Sequence, residues 1–146
     1  NIPSLGCAYA IAANPALRMR LKKAMAGIVH HVGLMGYIAT LAAYRDGKSW
    51  QLALLDYLRG NRDRVEQAIG EIPSLRITHA EATYLSWIDA RALANLNVVE
   101  VLEQAGVGVY DGALFGAPGF FRLNFACPHA VLDRALRRIE EALKPL

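Results

Sequence analysis

The order of helical and extended patterns along the chain predicts an α/β protein: helices first, then a small α/β sandwich. Three observations carry this expectation. Capping residues and apolar residues at helical spacing mark the first 70 positions. The character changes at Ile72-Pro73-Ser74, after which short segments rich in β-branched and aromatic residues alternate with helical ones. An amphipathic stretch then follows the last extended segment, which puts helices on one side of a sheet. The expected division is residues 1–70 and residues 71–146.

The first helix opens at Asn14-Pro15, a capping residue followed by proline at the first helical position, and runs to about Met25. Its basic residues lie toward the C-terminal end, where the helix dipole favours positive charge. Beyond Gly33, Leu34, Ile38 and Leu41 fall on one face of a second helix that ends near Tyr44. Asp46-Gly47 is a turn signal, and Ser49 is placed to cap the third and longest helix. That helix carries the stripe Leu54, Leu58, Val65 and Ile69, slightly weakened by Gly60. Strands are expected at Leu75 to Ile77 and Thr83 to Asp89, then a short helix near Asn97 to Gln104. A strand at Val107 to Tyr110, a glycine-punctuated loop and a strand at Phe120 to Phe125 come next. The last helix opens at Pro128, with Leu132, Leu136, Ile139 and Leu143 on one face.

Of the 146 residues, 54% are hydrophobic and 20% charged, with a mean hydropathy of +0.21. Disordered chains have the opposite balance. An ordinary soluble domain is roughly 25% charged, so part of the apolar surface is expected to be covered, by a partner subunit or by more of the same polypeptide. The first residues, Asn-Ile-Pro, enter an apolar stretch directly, without an initiator methionine or a basic leader, and a cytoplasmic location is the expectation. The net charge of +3 gathers in Arg18, Arg20, Lys22 and Lys23, while later basic residues are interleaved with acids, as in Arg62-Asp63-Arg64. Solvated helix faces account for this mixture, and no nucleic-acid partner is expected.

Ala24 to Tyr44 contains no charged residue, and about twenty apolar residues can span a bilayer. Gly27, Gly33, Gly36, His30 and His31 interrupt the segment, so a buried loop leading into a core helix is expected, with no membrane partner. Cys7 and Cys127 are far apart and belong to no zinc or redox pattern, which reads as buried thiols. Adjacent His30 and His31 face different ways on a helix, and no metal site is expected. His79 and His129 have no partner pattern.

Several strings are familiar when taken in order. Asn1-Ile2-Pro3-Ser4-Leu5 is similar to the stretch that follows the Schiff-base lysine of fold-type-I pyridoxal-phosphate enzymes. Gly36-Tyr37 through Ala43-Tyr44-Arg45-Asp46-Gly47, then Trp50, looks like the helix and turn before the long interdomain helix. Ala82-Thr83-Tyr84-Leu85-Ser86-Trp87-Ile88-Asp89 resembles the first small-domain core strand. Gly106-Val107-Gly108-Val109, Gly112, Phe115-Gly116 and Phe121-Arg122-Leu123-Asn124-Phe125-Ala126-Cys127-Pro128 resemble the substrate loop and the carboxylate-binding strand. Nearly the whole chain thus resembles the C-terminal half of a class I/II aminotransferase-superfamily enzyme. The Leu-Asn-Phe-Ala-Cys-Pro ending, and Gly6 where many aminotransferases carry a phosphate-binding arginine, resemble the cystathionine β-lyase-like C–S lyase branch.

The resemblance implies that residues 1–70 are the C-terminal segment of the large cofactor-binding domain, and residues 71–146 the small domain. It implies that Arg122 holds the substrate α-carboxylate, which suits a guanidinium fork able to make two parallel charge-assisted hydrogen bonds. Read without it, Arg122 is an exposed or paired arginine near a strand centre. Gly112, Phe115 and Gly116 would form the substrate loop, with Phe115 shielding the site; a plain flexible loop is the alternative. His31 and Gly33 would reach a partner subunit's cofactor phosphate. His129 stands where an arginine is expected after Cys-Pro, which puts an ion pair at that helix start in doubt.

Such enzymes need a lysine amine to bind pyridoxal 5'-phosphate covalently and to shuttle the α-proton. Lys22 and Lys23 lie on a polar helical run, Lys48 in a turn and Lys144 near the end, and none fits; the family lysine would fall just before Asn1. The chain alone is therefore expected to bind the cofactor weakly or not at all and to catalyse nothing. Together with a missing N-terminal half, and as a homodimer, it is expected to act on an amino-acid substrate as a C–S β-lyase. Transamination is the alternative within enzymes, and a non-catalytic dimerisation or interaction domain the alternative outside them.

Overall fold

Asn14 caps the first helix as its sequence predicts: in the computed structural model its side-chain oxygen accepts from the backbone N–H groups of Ala16 and Leu17. The structure describes residues 3–143; Asn1 and Ile2 of the family-like opening, and Lys144, lie outside them. A 3₁₀ turn at Pro3–Leu5 precedes α1 (Pro15–Met25) and α2 (Leu34–Asp46). The third helix, α3, spans Lys48–Gly70. Only Gly47 separates α2 from α3: its N–H bonds the Ala43 carbonyl behind it and its carbonyl accepts from Gln51 ahead. Ser49 is therefore inside the first turn of α3 and not its cap. A Cβ at Gly47 would collide with the Ala43 carbonyl, which explains a glycine at so tight a junction.

By contact the chain divides into two compact units, Asn1–Leu52 and Ala53–Leu146. The division falls within α3, whereas the change in sequence pattern at residue 70 marks the end of that helix. All three buried α3 residues, Asn61, Val65 and Ile69, belong to the second unit.

In the first unit, the only buried residue among those described is Gly36. A side chain there would meet the Leu5 carbonyl at 2.7 Å. The expected buried loop and core helix are not found. Leu34, Ile38 and Leu41 do share a face, but they are exposed, because this unit places no second apolar layer over them. Among the described residues no helix is long and apolar enough to cross a membrane.

The second unit contains β1 (Arg76–Ile77), β2 (Leu85–Asp89), α4 (Val98–Gln104), β3 (Tyr110–Asp111), β4 (Phe120–Asn124) and α5 (His129–Leu143). The four strands form an antiparallel sheet in the order β1-β2-β4-β3. Ser86 and Ile88 of β2 and Phe121 and Leu123 of β4 point to the buried face. There Ile88, Phe121 and Leu123 join a core with Ile69, Leu102, Leu132, Ile139 and Leu143. The four α5 residues predicted to share a face are all buried, and Asn97 caps α4 through the Glu100 N–H.

All four strands are shorter than the sequence suggests, β2 and β3 most of all. β2 starts at Leu85 because Thr83 has φ +69°, outside extended geometry and uncommon for a β-branched residue. Val107, expected to open β3, instead donates its N–H to the Leu102 carbonyl and is buried against the core.

Candidate functional site

Strand alternation gives the sheet a second face, opposite the helices, that carries Leu85, Trp87 and Asp89 from β2 and Phe120, Arg122 and Asn124 from β4. The antiparallel register sets Trp87 across from Arg122 and Tyr110 across from Arg122 on the other side, so the three form one row over the sheet. Asp89 pairs with Phe120 in a neighbouring row.

Arg122 stands at the centre of an aromatic cluster. Its Cζ lies 4.6 Å from the ring centroid of Tyr110 and 4.6 Å from that of Phe115. Trp87 meets Phe115 edge to face at 5.8 Å and stacks on Phe120 at 5.6 Å. Among the described residues no acid forms an ion pair with Arg122, and its Nε is buried without a hydrogen-bond partner. A buried donor left unpaired costs about 1–3 kcal/mol, and an incoming anion that reached it would relieve that cost.

The second arginine of this face is committed elsewhere. Arg91 Nε and Nη2 donate to the two oxygens of Asp89 at 3.0 and 2.7 Å, and its Cζ lies 4.9 Å from the Phe120 centroid. This bidentate pairing, with the Arg91 backbone N–H, holds the Asp89 carboxyl below its usual range and the Arg91 guanidinium above its own. Two arginines thus serve one face, one neutralised by an acid and one held, among the described residues, by rings alone.

The expected substrate loop is the link from β3 to β4. Asp111 accepts from the Ala113 N–H and opens a 3₁₀ turn at Gly112–Phe115, which Gly116 ends at φ +77°. A Cβ on Gly112 would press into the Ala117 and Phe120 carbonyls. The turn delivers Phe115 onto Arg122, so the structure brings Arg122, Phe115, Gly112 and Gly116 together. His31 and Gly33 belong to the other unit, exposed in the link before α2, where Gly33 occupies the N-cap position without a side-chain hydrogen bond. The described lysines Lys22, Lys23 and Lys48 are exposed, and Lys48 lies 3.4 Å from Gln51 Oε1.

Two polar groupings escaped the sequence reading. Asn61, fully buried, donates from Nδ2 to the carbonyls of Phe125 (2.7 Å) and Cys127 (2.9 Å), just beyond β4. That orientation leaves Oδ1 as an acceptor for His129 Nδ1 at 2.6 Å, so the imidazole proton resides on Nδ1. Tyr57 stacks on the His129 ring at 4.2 Å and accepts from its backbone N–H. The helix start that lacks the expected arginine is thus held by hydrogen bonds to Asn61 and Tyr57. The available signal was Asn61 itself, a polar residue at a core position of the α3 stripe. His79, in turn, does have a partner: its Nδ1 lies 3.0 Å from Glu66 Oε2. Cys7 and Cys127 are unpaired and half-buried, not fully buried, and desolvation raises the Cys127 thiol. No group of three or more His, Cys, Asp and Glu among the described residues could hold a metal ion.

The sequence model of the class I and II aminotransferases matches residues 3–139. The chain belongs to that family. It is 30% identical to the cystathionine β-lyase of Corynebacterium glutamicum, covering 98% of this chain and 39% of that protein. The solved structure of OvoB superposes with a TM-score of 0.90 at 40% identity, over 97% of this chain and 38% of that one. Cystalysin from Treponema denticola, whose structure contains pyridoxal 5'-phosphate, superposes with a TM-score of 0.84 at 29% identity, over 99% of this chain and 39% of its own. The chain therefore spans about two-fifths of the length of the curated relatives it matches, and its α/β fold is that of this pyridoxal-phosphate family. The described residues do not fit the cofactor's covalent anchor, because each described lysine is exposed and none is sheltered.

Proposed function

We propose that this chain is the C-terminal part of a pyridoxal 5'-phosphate-dependent enzyme that acts on amino acids and cleaves a carbon–sulfur bond at the β-carbon, as a cystathionine β-lyase does. The observation that carries the proposal is Arg122, a cation with a buried unpaired donor, framed by aromatic rings and paired with no acid among the described residues. Its role is to take the α-carboxylate and so fix where the rest of the substrate lies. Phe115 excludes water from that contact, on a loop to which Gly112 and Gly116 give its shape. A half-exposed ring on a glycine-bounded turn can cover a small ligand and release it.

Residues 1–70 are proposed as the end of the large domain, with the long interdomain helix, and residues 71–146 as the small domain. His31 and Gly33 are proposed to reach a partner subunit's cofactor phosphate within a homodimer. The support is their exposure and the uncapped N-terminus of α2, where helix N–H groups favour an anion. The cofactor's covalent anchor belongs to residues outside this chain, and the chain by itself is proposed to bind the cofactor weakly or not at all.

Cystathionine turnover by the intact gene product, loaded with pyridoxal 5'-phosphate, tests the assignment. Stoichiometric pyruvate and ammonia are expected, with KM raised at least 10-fold in Arg122→Leu. Transfer of the amino group to a 2-oxo acid without ammonia release would instead make the protein an aminotransferase. Unchanged KM in the variant would remove Arg122 from the substrate site.

A further inference from the structure

An arginine that must receive a carboxylate faces two requirements that conflict. Its long side chain has to be held still, since rotamer freedom lost on binding weakens affinity. Yet the usual partner that holds an arginine, an aspartate or glutamate, would occupy the same N–H groups and cancel the charge. The face of an aromatic ring meets both requirements. Its quadrupole attracts the cation, and it contributes no carboxylate to compete with the ligand.

Both solutions occur on this sheet face, in neighbouring rows. Arg91 is fixed by Asp89 through two hydrogen bonds and is thereby neutralised. Arg122 pairs with no acid among the described residues; Tyr110 and Phe115 flank it at equal distance. The two rings are not equivalent in origin. Phe115 arrives from the 3₁₀ turn, whereas Tyr110 is placed by strand pairing, as the register partner of Arg122 across β3 and β4. Strand register is the more rigid of the two supports, because a slip by one residue would turn Tyr110 to the other face. Tyr110 itself is largely solvent-exposed, so its ring adds little to the core.

We infer that Tyr110 is a positioning residue: its ring holds the Arg122 guanidinium in place for an amino-acid carboxylate while leaving its charge intact. This rests on the carboxylate role proposed for Arg122, and the experiment separates the two. In the intact, cofactor-loaded protein, the dissociation constants of L-alanine and ethylamine are measured by calorimetry. Alanine carries the carboxylate and no β leaving group; ethylamine lacks the carboxylate, so the ratio of the two constants isolates recognition of that group. Arg122→Leu, Tyr110→Leu and Tyr110→Phe are compared with the parent protein.

Tyr110→Leu is expected to lower the preference for alanine about 10-fold, and Tyr110→Phe to retain it, because the ring and not the hydroxyl meets the guanidinium. In turnover, Tyr110→Leu is expected to raise KM far more than it lowers kcat. If Arg122→Leu abolishes the preference while Tyr110→Leu leaves it unchanged, Tyr110 does not position the arginine and the inference is wrong. An equal loss in Tyr110→Phe would also overturn it, by transferring the effect to the hydroxyl. If Arg122→Leu itself retains the preference, the carboxylate role fails first and the inference about Tyr110 goes with it.

Discussion

Asp89 and Arg91 show what a committed arginine looks like at the level of single side chains, and their pairing has a pH signature. Hydrogen bonds from the Arg91 guanidinium and backbone N–H lower the folded-state pKa of Asp89 below its unfolded value. In the window between those two values the unfolded chain binds the proton and the folded one does not, so stability falls as pH falls through it. The contribution is complete above the ordinary carboxylate pKa, about 3.9, and is lost as the folded Asp89 finally protonates. Replacing Asp89 by asparagine should therefore lower the melting temperature at pH 7. The deficit should shrink steadily below about pH 4. Equal melting temperatures at neutral pH would show that the pair, half-exposed at Asp89, contributes nothing measurable. Salt should diminish the deficit too, since the Arg91 side chain is open to solvent.

The junction between α3, the end of β4 and the start of α5 depends on Asn61. Its amide donates to two carbonyls of the chain leaving β4 and accepts from His129 at the first residue of α5. Removing the amide leaves the Cys127 carbonyl and the imidazole N–H without these partners, and the Phe125 carbonyl with the Cys127 N–H alone. At roughly 1–3 kcal/mol for each buried unsatisfied group, Asn61→Ala should cost several kcal/mol. Asn61→Asp should be at least as damaging, because a carboxylate cannot donate to either carbonyl. Chemical denaturation of the two variants checks this; a loss below about 1 kcal/mol in both would mean that water replaces the amide without penalty.

The same elements show which features the sequence disclosed. Helix periodicity located the α5 face correctly, and capping chemistry the Asn14 start of α1, because both depend on residues within one turn of each other. Thr83 and Val107 look strand-forming by residue type, yet a positive φ in one and a contact back to α4 in the other remove them from the ladder. Arg122 and Phe115 were legible as candidates from local resemblance. Tyr110 and Asn61 were not, since their partners lie 12 and more than 60 residues away and are set by strand register and helix packing.

At the scale of the whole chain, the high apolar content has a location. The second unit buries its hydrophobic residues in an ordinary core, whereas Leu34, Met35, Ile38, Leu41 and Tyr44 along α2 remain exposed. Helices of 11 and 13 residues such as α1 and α2 are marginal in water without an apolar face to bury. Local stability should follow this division. In hydrogen exchange, amides of β2, β4 and α5 should be protected to the level of global unfolding, and those of α1 and α2 should exchange orders of magnitude faster. In the intact gene product the α1 and α2 amides should become protected, if the rest of the polypeptide or a second subunit supplies the missing apolar layer. Uniform protection in the isolated chain would mean that the first unit is stable without any cover, and the excess of hydrophobic surface would then lose its explanation as a face made to be buried.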